Sequence, residues 1–286
     1  MLSFDVEEYF HVEAAALLPA QWGEYPSRLA PAMEQILQLL REHQAGATFF
    51  VLGWVARRYG PLVRAISQAG HEIASHGDMH AMLHRLGPKR FREDLLASRA
   101  VLEDVTGRPV VGYRAPTFSI THETAWAIDV LAENGFVYDS SIFPIRHDRY
   151  GVPEAPTVMH HAIGPRGGRV IEIPPLCLSL PGANLPVGGG GYLRLLPVAP
   201  VAWALRRCQN HGSSGLLYVH PWELDPGQPE LPMGRMSRWR HRVNLHTTAG
   251  KLRRLMGAFR FGSIRQAMLD RPPQQSFFYS QQASDS

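Results

Sequence analysis

Short apolar runs alternate with longer amphipathic stretches over the first three-quarters of the chain. The runs predict buried strands, and the stretches predict helices because their apolar residues recur at helical spacing. The clearest helix spans residues 31–43, where Met33, Ile36, Leu37 and Leu40 share one face behind an opening proline. The predicted strands are residues 2–6, 47–52, 71–75, 110–113, 136–138 and 216–219.

Further helices are predicted between and after these strands, with Gly70, Gly107 and Gly135 where helix C-caps belong. These helices span residues 61–68, 91–105, 125–133, 200–211 and 248–259. Residues 157–175 predict a hairpin, and residues 184–192 predict a glycine-rich loop. The polar end that begins at Pro272 is predicted to fray.

Strands that alternate with helices predict a parallel α/β architecture. The predicted strands number about seven and alternate with helices over residues 1–225. This length is close to the roughly 250 residues of a typical (β/α) barrel. We therefore expect an α/β domain over residues 1–225, folded as a deformed (β/α) barrel. Residues 226–286 are predicted to be a basic C-terminal extension with a disordered end. A doubly wound open sheet is the alternative architecture.

The composition excludes several classes of protein. The 286 residues are 45% hydrophobic, which supports a sizeable core and excludes a disordered chain. A net charge of +4 argues against a nucleic-acid partner. The longest apolar run, residues 195–205, has eleven residues and two prolines, well short of the ~18 that span a bilayer. Because the N-terminus also lacks the pattern of a signal peptide, we expect a cytoplasmic protein.

The cysteines add one exclusion. Cys177 and Cys208 are the only two, and they form no Cys-x-x-Cys pair. This pattern fits a reducing compartment and excludes a thiolate-rich zinc site. Both are interpreted as small hydrophobic residues.

Polar side chains follow the predicted strands directly. In a parallel α/β fold the carboxyl ends of the strands meet at one edge, so we expect these side chains to converge. They are Asp5, Glu7 and Glu8 after the first strand, His76 and His80 after the third, Arg114 and Pro116 after the fourth, Asp139 after the fifth and His220 after the last.

Two of these strand ends could together hold a metal ion. Asp5 and Glu7 are two residues apart on a strand, which places both carboxylates on the same face. Two histidines and one carboxylate leave coordination positions open, as a catalytic ion requires, and they suit zinc, cobalt or manganese. The pattern alone is not decisive, because His84 repeats the spacing of His76 and His80. An acidic strand end and histidines in a solvated loop are the simpler interpretation.

The remaining strand-end residues have plain structural alternatives as well. Arg114 could be a surface arginine, and Asp139 could cap a helix. His220 lies in an apolar strand, so it could be a buried core histidine. If a carboxylate such as Asp139 or Glu223 lies close to it, His220 could instead carry a proton near neutral pH.

Taken in order, these motifs resemble the polysaccharide deacetylases of carbohydrate esterase family four over residues 2–225. The matching segments are SFDVE at residues 3–7, SHGDMH at 75–80, YRAP at 113–116, Asp139 and YVH at 218–220. The DVEEYF opening, the glycine-rich residues 186–192, the HPWE ending and the basic tail resemble more narrowly the bacterial subfamily associated with exosortase and exopolysaccharide gene clusters.

The resemblance implies roles for individual residues in removing N-acetyl groups from an acetylated sugar in a polysaccharide or its precursor. The implied metal ligands are Glu7, His76 and His80, with Glu8 as an alternative to Glu7. The implied catalytic residues are Asp5 as base and His220 as acid, supported by Arg114 and Asp139. The implied substrate-binding residues are Pro116, Thr117, Tyr192 and Trp222, with the backbone near Thr117 binding the oxyanion.

Departures from the family pattern leave other functions open. The second acid of the first motif is displaced by one residue and is a glutamate, and Tyr218 stands where leucine is usual. An amidase acting on a small C–N substrate and an inactive carbohydrate-binding scaffold are the alternatives. The basic residues 235–242 could contact lipid headgroups peripherally; nucleic acid is the weakest candidate partner. Oligomeric state cannot be inferred from these patterns.

Overall fold

The first strand forms where the apolar pattern predicts it. In a computed structural model that describes residues 1–147 and 149–280, β1 (Leu2–Val6) lies between two parallel neighbours. These are β2 (Thr48–Val51) and β10 (Leu217–Val219). All five residues of β1 are buried, which fits a central strand of a parallel sheet covered on both faces.

The sheet has nine strands and is parallel except for one pair. Its remaining members are β3 (Glu72–Ser75), β4 (Gly112–Tyr113), β5 (Tyr138–Asp139), β6 (His160–Ile163), β7 (Arg169–Glu172) and β11 (Ser276–Phe278). Their order is β10-β1-β2-β3-β4-β5-β7-β6-β11, and only β6 and β7 are antiparallel. The predicted parallel α/β architecture and the hairpin within residues 157–175 are therefore confirmed.

A regular closed barrel, by contrast, is not formed by the described residues. The end strands β10 and β11 do not pair with each other. On its free side β10 makes only isolated bridges, between Leu216 and Pro175 and between Tyr218 and Gly189. The expected α/β fold is confirmed, and its deformed barrel does not close: the chain after β7 leaves the sheet for a separate antiparallel pair, β8 (Cys177–Leu180) and β9 (Ala183–Pro186).

Helices cover both faces of the sheet and match most of the predicted ones. They are α1 (Leu29–Glu42), α2 (Gly53–Arg58), α3 (Gly60–Gln68), α4 (Leu83–Thr106), α5 (Trp126–Glu133), α6 (Gly190–Leu195), α7 (Val198–Asn210), α8 (Arg235–Arg242), α9 (Thr248–Ala258) and α10 (Ile264–Asp270). Helix α1 buries Met33, Ile36 and Leu40 as its pattern predicts, and Leu37 packs partly buried against the same core. No helix of the described residues is long and apolar enough to cross a membrane.

The glycine run is the region where the prediction fails most clearly. Residues 184–192 are not a loop throughout: β9 and the start of α6 occupy most of them. Gly188 and Gly189 are buried against the strand β10, and a Cβ atom on Gly189 would lie 1.8 Å from the carbonyl oxygen of Tyr218. Glycine is therefore needed here for close packing of two backbone segments.

The residues after 225 pack onto the sheet. Leu252, Leu255 and Phe261 belong to the same buried cluster as Phe4 of β1. At the end of the described chain, β11 pairs with β6, and Tyr279 is fully buried. The prediction that the end frays from Pro272 is wrong for Ser276–Phe278, because apolar residues there complete the sheet edge; residues 281–286 lie outside the described part of the chain.

Candidate metal and catalytic site

The carboxyl end of β1 places two acids on one face of the sheet. Asp5 and Glu7 are both buried, while Val6 between them points into the hydrophobic core. Glu8 turns the other way: it accepts a hydrogen bond from the Ser27 hydroxyl and another from the Arg28 backbone N–H at 3.0 Å. Of the two glutamates, Glu7 is therefore the one that faces the histidines.

Glu7, His76 and His80 form the candidate metal cluster. One ligand atom from each lies within 4.8 Å of the other two. His80 Nε2 lies 2.7 Å from Glu7 Oε2, and that oxygen is buried without any other hydrogen-bond partner among the described residues. Burial opposes ionisation of Glu7, but the neighbouring imidazoles, His80 above all, hold its pKa well below the ordinary glutamate value. An ionised, buried carboxylate facing two imidazoles fits a divalent cation.

The ring of His76 is oriented by the chain behind it. Its Nδ1 lies 2.9 Å from the carbonyl oxygen of Arg114. Because a carbonyl oxygen only accepts hydrogen bonds, Nδ1 carries the hydrogen and donates a hydrogen bond to it. Nε2 is then left with its lone pair, which is the arrangement found in metal-binding histidines. Burial lowers the pKa of His76 to about 4, which keeps the ring neutral and able to bind a cation.

The loop that carries the two histidines is held by α4. Asp94 accepts hydrogen bonds from the backbone N–H groups of Asp78 (2.8 Å) and Met79 (3.4 Å). His80 itself has a positive φ of 53°, an uncommon conformation for a residue with a side chain. Asp94 was not among the predicted site residues, because its contact depends on how α4 packs against the loop.

Arg114 holds one oxygen of Asp5. Its Nη1 donates to Asp5 Oδ1 at 2.6 Å and to Ser3 Oγ at 2.9 Å. The guanidinium is fully buried, lies 4.0 Å from the centre of the Phe50 ring, and is fixed further by Ser140. Asp5 therefore has one oxygen engaged by Arg114, while Oδ2 faces the site.

His220 lies beside both acids of β1. Its Nε2 is 3.8 Å from Asp5 Oδ2 and from Glu7 Oε1. On the other side of the ring, Nδ1 donates to Glu223 Oε1 at 2.7 Å. Burial alone would lower the pKa of His220, but the Glu223 hydrogen bond and the charge of Glu7 outweigh it and raise the pKa to about 9. These contacts therefore favour the protonated form of His220.

Glu223 is in turn fixed by a buried arginine. Arg194 Nε donates to Glu223 Oε2 at 2.7 Å, and Arg194 Nη1 donates to the carbonyl oxygens of His241 and Val243. Burial opposes ionisation of Glu223, but Arg194 and His220 together lower its pKa. The carboxylate close to His220 is thus Glu223, and not Asp139.

Asp139 lies at the predicted strand end but contacts a different set of residues. It accepts a hydrogen bond from the Ser141 hydroxyl and lies against Glu172 of β7, and both carboxyl groups are fully buried. Burial raises the pKa of both groups, and the charge of Asp139 raises the pKa of Glu172 further. Ser141 Oγ also accepts a hydrogen bond from the backbone N–H of Ala115 at 2.7 Å. Asp139 is therefore connected to the segment after Arg114.

The predicted substrate-binding residues differ from one another in exposure and in contacts. Trp222 is buried, stacks on His220 with ring centres 5.0 Å apart, and donates from Nε1 to Glu7 Oε1 at 3.1 Å. Trp222 therefore supports the acids at the end of β1, and little of its surface is accessible to a sugar. Thr117, with a φ of +58°, is partly exposed after the buried Pro116, and Tyr192 packs partly exposed beside Phe143.

An aromatic wall on the other side of the cluster was missed by the sequence analysis. His11 packs against Trp22 and Trp54, and its ring lies 6.3 Å from that of His80. Burial lowers the pKa of His11 to about 3. His11 and Trp22 lie in short 3₁₀ turns after β1, and Trp54 lies in α2. Such turns leave no periodic pattern from which the positions of His11 and Trp22 could be predicted.

Together these contacts define a class of protein: an enzyme with an α/β fold whose site lies at the carboxyl edge of a parallel sheet. It combines a metal-type cluster, a carboxylate held by arginine and a histidine oriented by a carboxylate. Residues 25–138 match the family model described as "Polysaccharide deacetylase". This match confirms, over residues 25–138, the resemblance of the motifs to polysaccharide deacetylases. Residues 140–269 match a second model, described as "Domain of unknown function (DUF3473)".

The names of curated relatives also contain the word deacetylase. A peptidoglycan deacetylase-like protein of Gibberella zeae is 32% identical over 140 residues, which cover 44% of this chain and 40% of that protein. The peptidoglycan deacetylase of Helicobacter pylori is 30% identical over 108 residues, covering 38% of this chain and 36% of that protein. The chain thus matches well under half of the length of these relatives.

Solved structures support the fold over nearly the whole chain. A Mycobacterium smegmatis protein assigned as a polysaccharide deacetylase has a TM-score of 0.59 at 21% identity, covering 96% of this chain and 92% of that chain. An allantoinase has a TM-score of 0.58 at 16% identity, covering 96% and 90%. At such low identities the likeness shows the fold alone.

Proposed function

We propose that this protein is a metal-dependent hydrolase that removes N-acetyl groups from an acetylated sugar in a polysaccharide or its precursor. The observation that carries the proposal is the convergence of five groups from three strand ends. Asp5 and Glu7 end β1, the two histidines follow β3, and His220 follows β10. The printed names of the relatives, peptidoglycan and chitooligosaccharide deacetylases, support the same reaction class.

A divalent cation would be held by Glu7, His76 and His80. A bound cation lowers the pKa of water and polarises a carbonyl oxygen. Imidazole and carboxylate ligands suit zinc, and they also accept cobalt or manganese. We propose zinc, which metal analysis of the purified protein would test.

The protein's own groups then divide the proton transfers. Asp5, with one oxygen held by Arg114 and the other free, is placed to accept a proton from the attacking water. His220 is protonated and oriented by Glu223, so it is placed to donate a proton to the departing amine nitrogen. The backbone N–H near Thr117 is proposed to bind the oxyanion.

The family match supports the proposed substrate class, an acetylated saccharide. Curated relatives include a chitooligosaccharide deacetylase, 28% identical over 97 residues, and peptidoglycan deacetylases. The second family model, over residues 140–269, covers the glycine run and the basic helix that resemble the exopolysaccharide-associated subfamily. We therefore place exopolysaccharides and their lipid-linked precursors first among the substrates to test. A cytoplasmic location and a peripheral lipid contact through the basic extension complete the proposal.

The test is a hydrolysis screen with a matched inactive variant, in which acetylated substrates are followed by acetate release and allantoin is followed by its disappearance. Purified protein is incubated with N-acetylglucosamine oligomers, peptidoglycan fragments, acetylated exopolysaccharide and allantoin. Release from a saccharide that Asp5→Asn abolishes, with metal content unchanged, would support a de-N-acetylase. Hydrolysis of allantoin alone would favour an amidase. Saccharide binding without turnover in any condition would favour an inactive scaffold.

A further inference from the structure

Positive charge is concentrated in one part of the chain. Residues 235–271 contain ten arginines and lysines and a single acid, Asp270. The whole protein carries a net charge of only +4, so the rest of the chain is net negative. Such a separation of charge directs a protein toward an anionic surface in one orientation.

Helix α8 presents this charge together with exposed apolar side chains. Four of its eight residues are arginines, and it contains no acid. Met236 is 63% exposed and Trp239 is 53% exposed; their spacing places them on one face, with Arg240 one turn beyond Met236. Among the described residues Arg235 and Arg240 make no ion pair, whereas Arg238 lies 3.5 Å from Glu230. Exposed tryptophan flanked by arginine is typical of helices that lie in the interfacial layer of a bilayer.

The opposite side of α8 is fixed next to the candidate site. His241 is buried and stacks on Trp222 with ring centres 4.4 Å apart, and Trp222 stacks on His220. Arg194, which holds Glu223, also binds the carbonyl oxygen of His241 at 2.9 Å. A surface that binds the outer side of α8 would therefore lie beside the site.

We propose that α8 is a docking helix for an anionic lipid surface, with Met236 and Trp239 entering the headgroup layer and Arg235 and Arg240 binding lipid phosphates. Charge complementarity selects an anionic partner. Met236 and Trp239 together expose apolar side chains between arginines, a combination that suits the headgroup layer of a bilayer and selects lipid over an acidic polysaccharide or a nucleic acid. This surface does not depend on the deacetylase activity, and lipid binding can be measured without any substrate.

The test is co-sedimentation of the full chain with vesicles of phosphatidylglycerol or of phosphatidylcholine. We expect binding to phosphatidylglycerol that high salt releases, and little binding to phosphatidylcholine. The double variant Arg235→Gln/Arg240→Gln should bind about 30-fold more weakly, since each arginine at an anionic surface strengthens binding roughly fivefold. Arg253→Gln/Arg254→Gln removes the same charge from exposed positions of α9 and is the matched control, expected to keep most of the binding.

Trp239 supplies a second readout. The wild-type tryptophan emission should shift to shorter wavelength with phosphatidylglycerol vesicles, and Trp239→Phe should lose most of that shift. Equal weakening in both double variants would overturn the proposal, because it would show a response to net charge alone. Absence of vesicle binding together with retention on a soluble acidic polysaccharide would also overturn it, in favour of a sugar-chain partner. Circular dichroism melting of each variant checks that the fold is kept.

Discussion

The proposed metal ligands Glu7, His76 and His80 each offer one ligand atom, and His84, four residues after His80, is exposed outside the cluster. We expect His76→Ala and His80→Ala to lose stoichiometric divalent metal, since two remaining ligands hold an ion weakly. His84→Ala should keep it. Elemental analysis of purified protein measures the metal, and circular dichroism shows whether the fold survives. If both ligand variants kept one equivalent, this metal site would be wrong.

His220 is predicted to be the proton donor. Its raised pKa, about 9, keeps the ring protonated at neutral pH, so the donor is lost as the pH rises through that value. His220→Ala should lower kcat roughly 10²–10⁴-fold without loss of metal, and it should remove the fall in rate on the alkaline side. Steady-state kinetics across pH measures both effects. Near-normal turnover with the alkaline fall intact would return His220 to the role of a packed core histidine.

Residues whose role depends on strand position could be predicted from the sequence, and residues whose role depends on packing could not. Asp5 and Glu7 were placed on one face by the two-residue period of a strand. Asp94 and Arg194 reach the site from helices whose docking no local pattern encodes. Asp139 is an intermediate case: its strand end was predicted, but its neighbour Glu172 was not, because the position of β7 beside β5 is a property of the sheet.

At the scale of elements, the packing of the glycine run against β10 gives a test. Gly189→Ala should destabilise the protein by about 3 kcal/mol or more, because the new Cβ would meet the Tyr218 backbone and the chain would have to shift. Gly182→Ala is the control: its φ is also positive, at 78°, but no atom lies within 4 Å of the added Cβ, so about 1 kcal/mol is expected. Urea unfolding measures the two losses of stability. Equal losses would leave residues 188–191 as a simple linker.

The element boundaries that were missed share a physical cause. Helix α4 begins at Leu83, well before the predicted residue 91. The early start was missed because Gly87 and Pro88 interrupt the helical pattern at a kink. Helix α6 begins within the glycine run, where glycine lowers intrinsic helix propensity. In both places contacts with the rest of the fold override the local signal. Strand β1, which is apolar and central, was predicted at its observed bounds.

At the scale of the molecule, contacts distant in sequence decide the architecture. Strand β1 pairs with β10 more than two hundred residues later, as in the register of Leu2 with Leu217. The apolar pattern predicted that these strands exist and are parallel. It could not predict that the sheet stays open or that the chain end returns to its far edge. Those outcomes depend on which edges remain to be covered after β7.

The return of the chain end predicts that the residues after 225 unfold together with the rest. Tyr279 is fully buried, and its hydroxyl lies 2.7 Å from His160 Nε2 of β6, whereas the neighbouring Phe278 is 55% exposed. Tyr279→Ala should therefore lower the free energy of unfolding by about 3–5 kcal/mol, and Phe278→Ala by under about 1 kcal/mol.

Denaturant unfolding followed by tryptophan fluorescence and by circular dichroism is the measurement, with Phe278→Ala as the control. The tryptophans lie outside β6 and β11, so a cooperative fold requires both signals to shift to the same lower midpoint in Tyr279→Ala. An unchanged midpoint would mean that the chain end is frayed in solution. A shift in only one signal would mean that the extension unfolds apart from the α/β domain, as two separate units would.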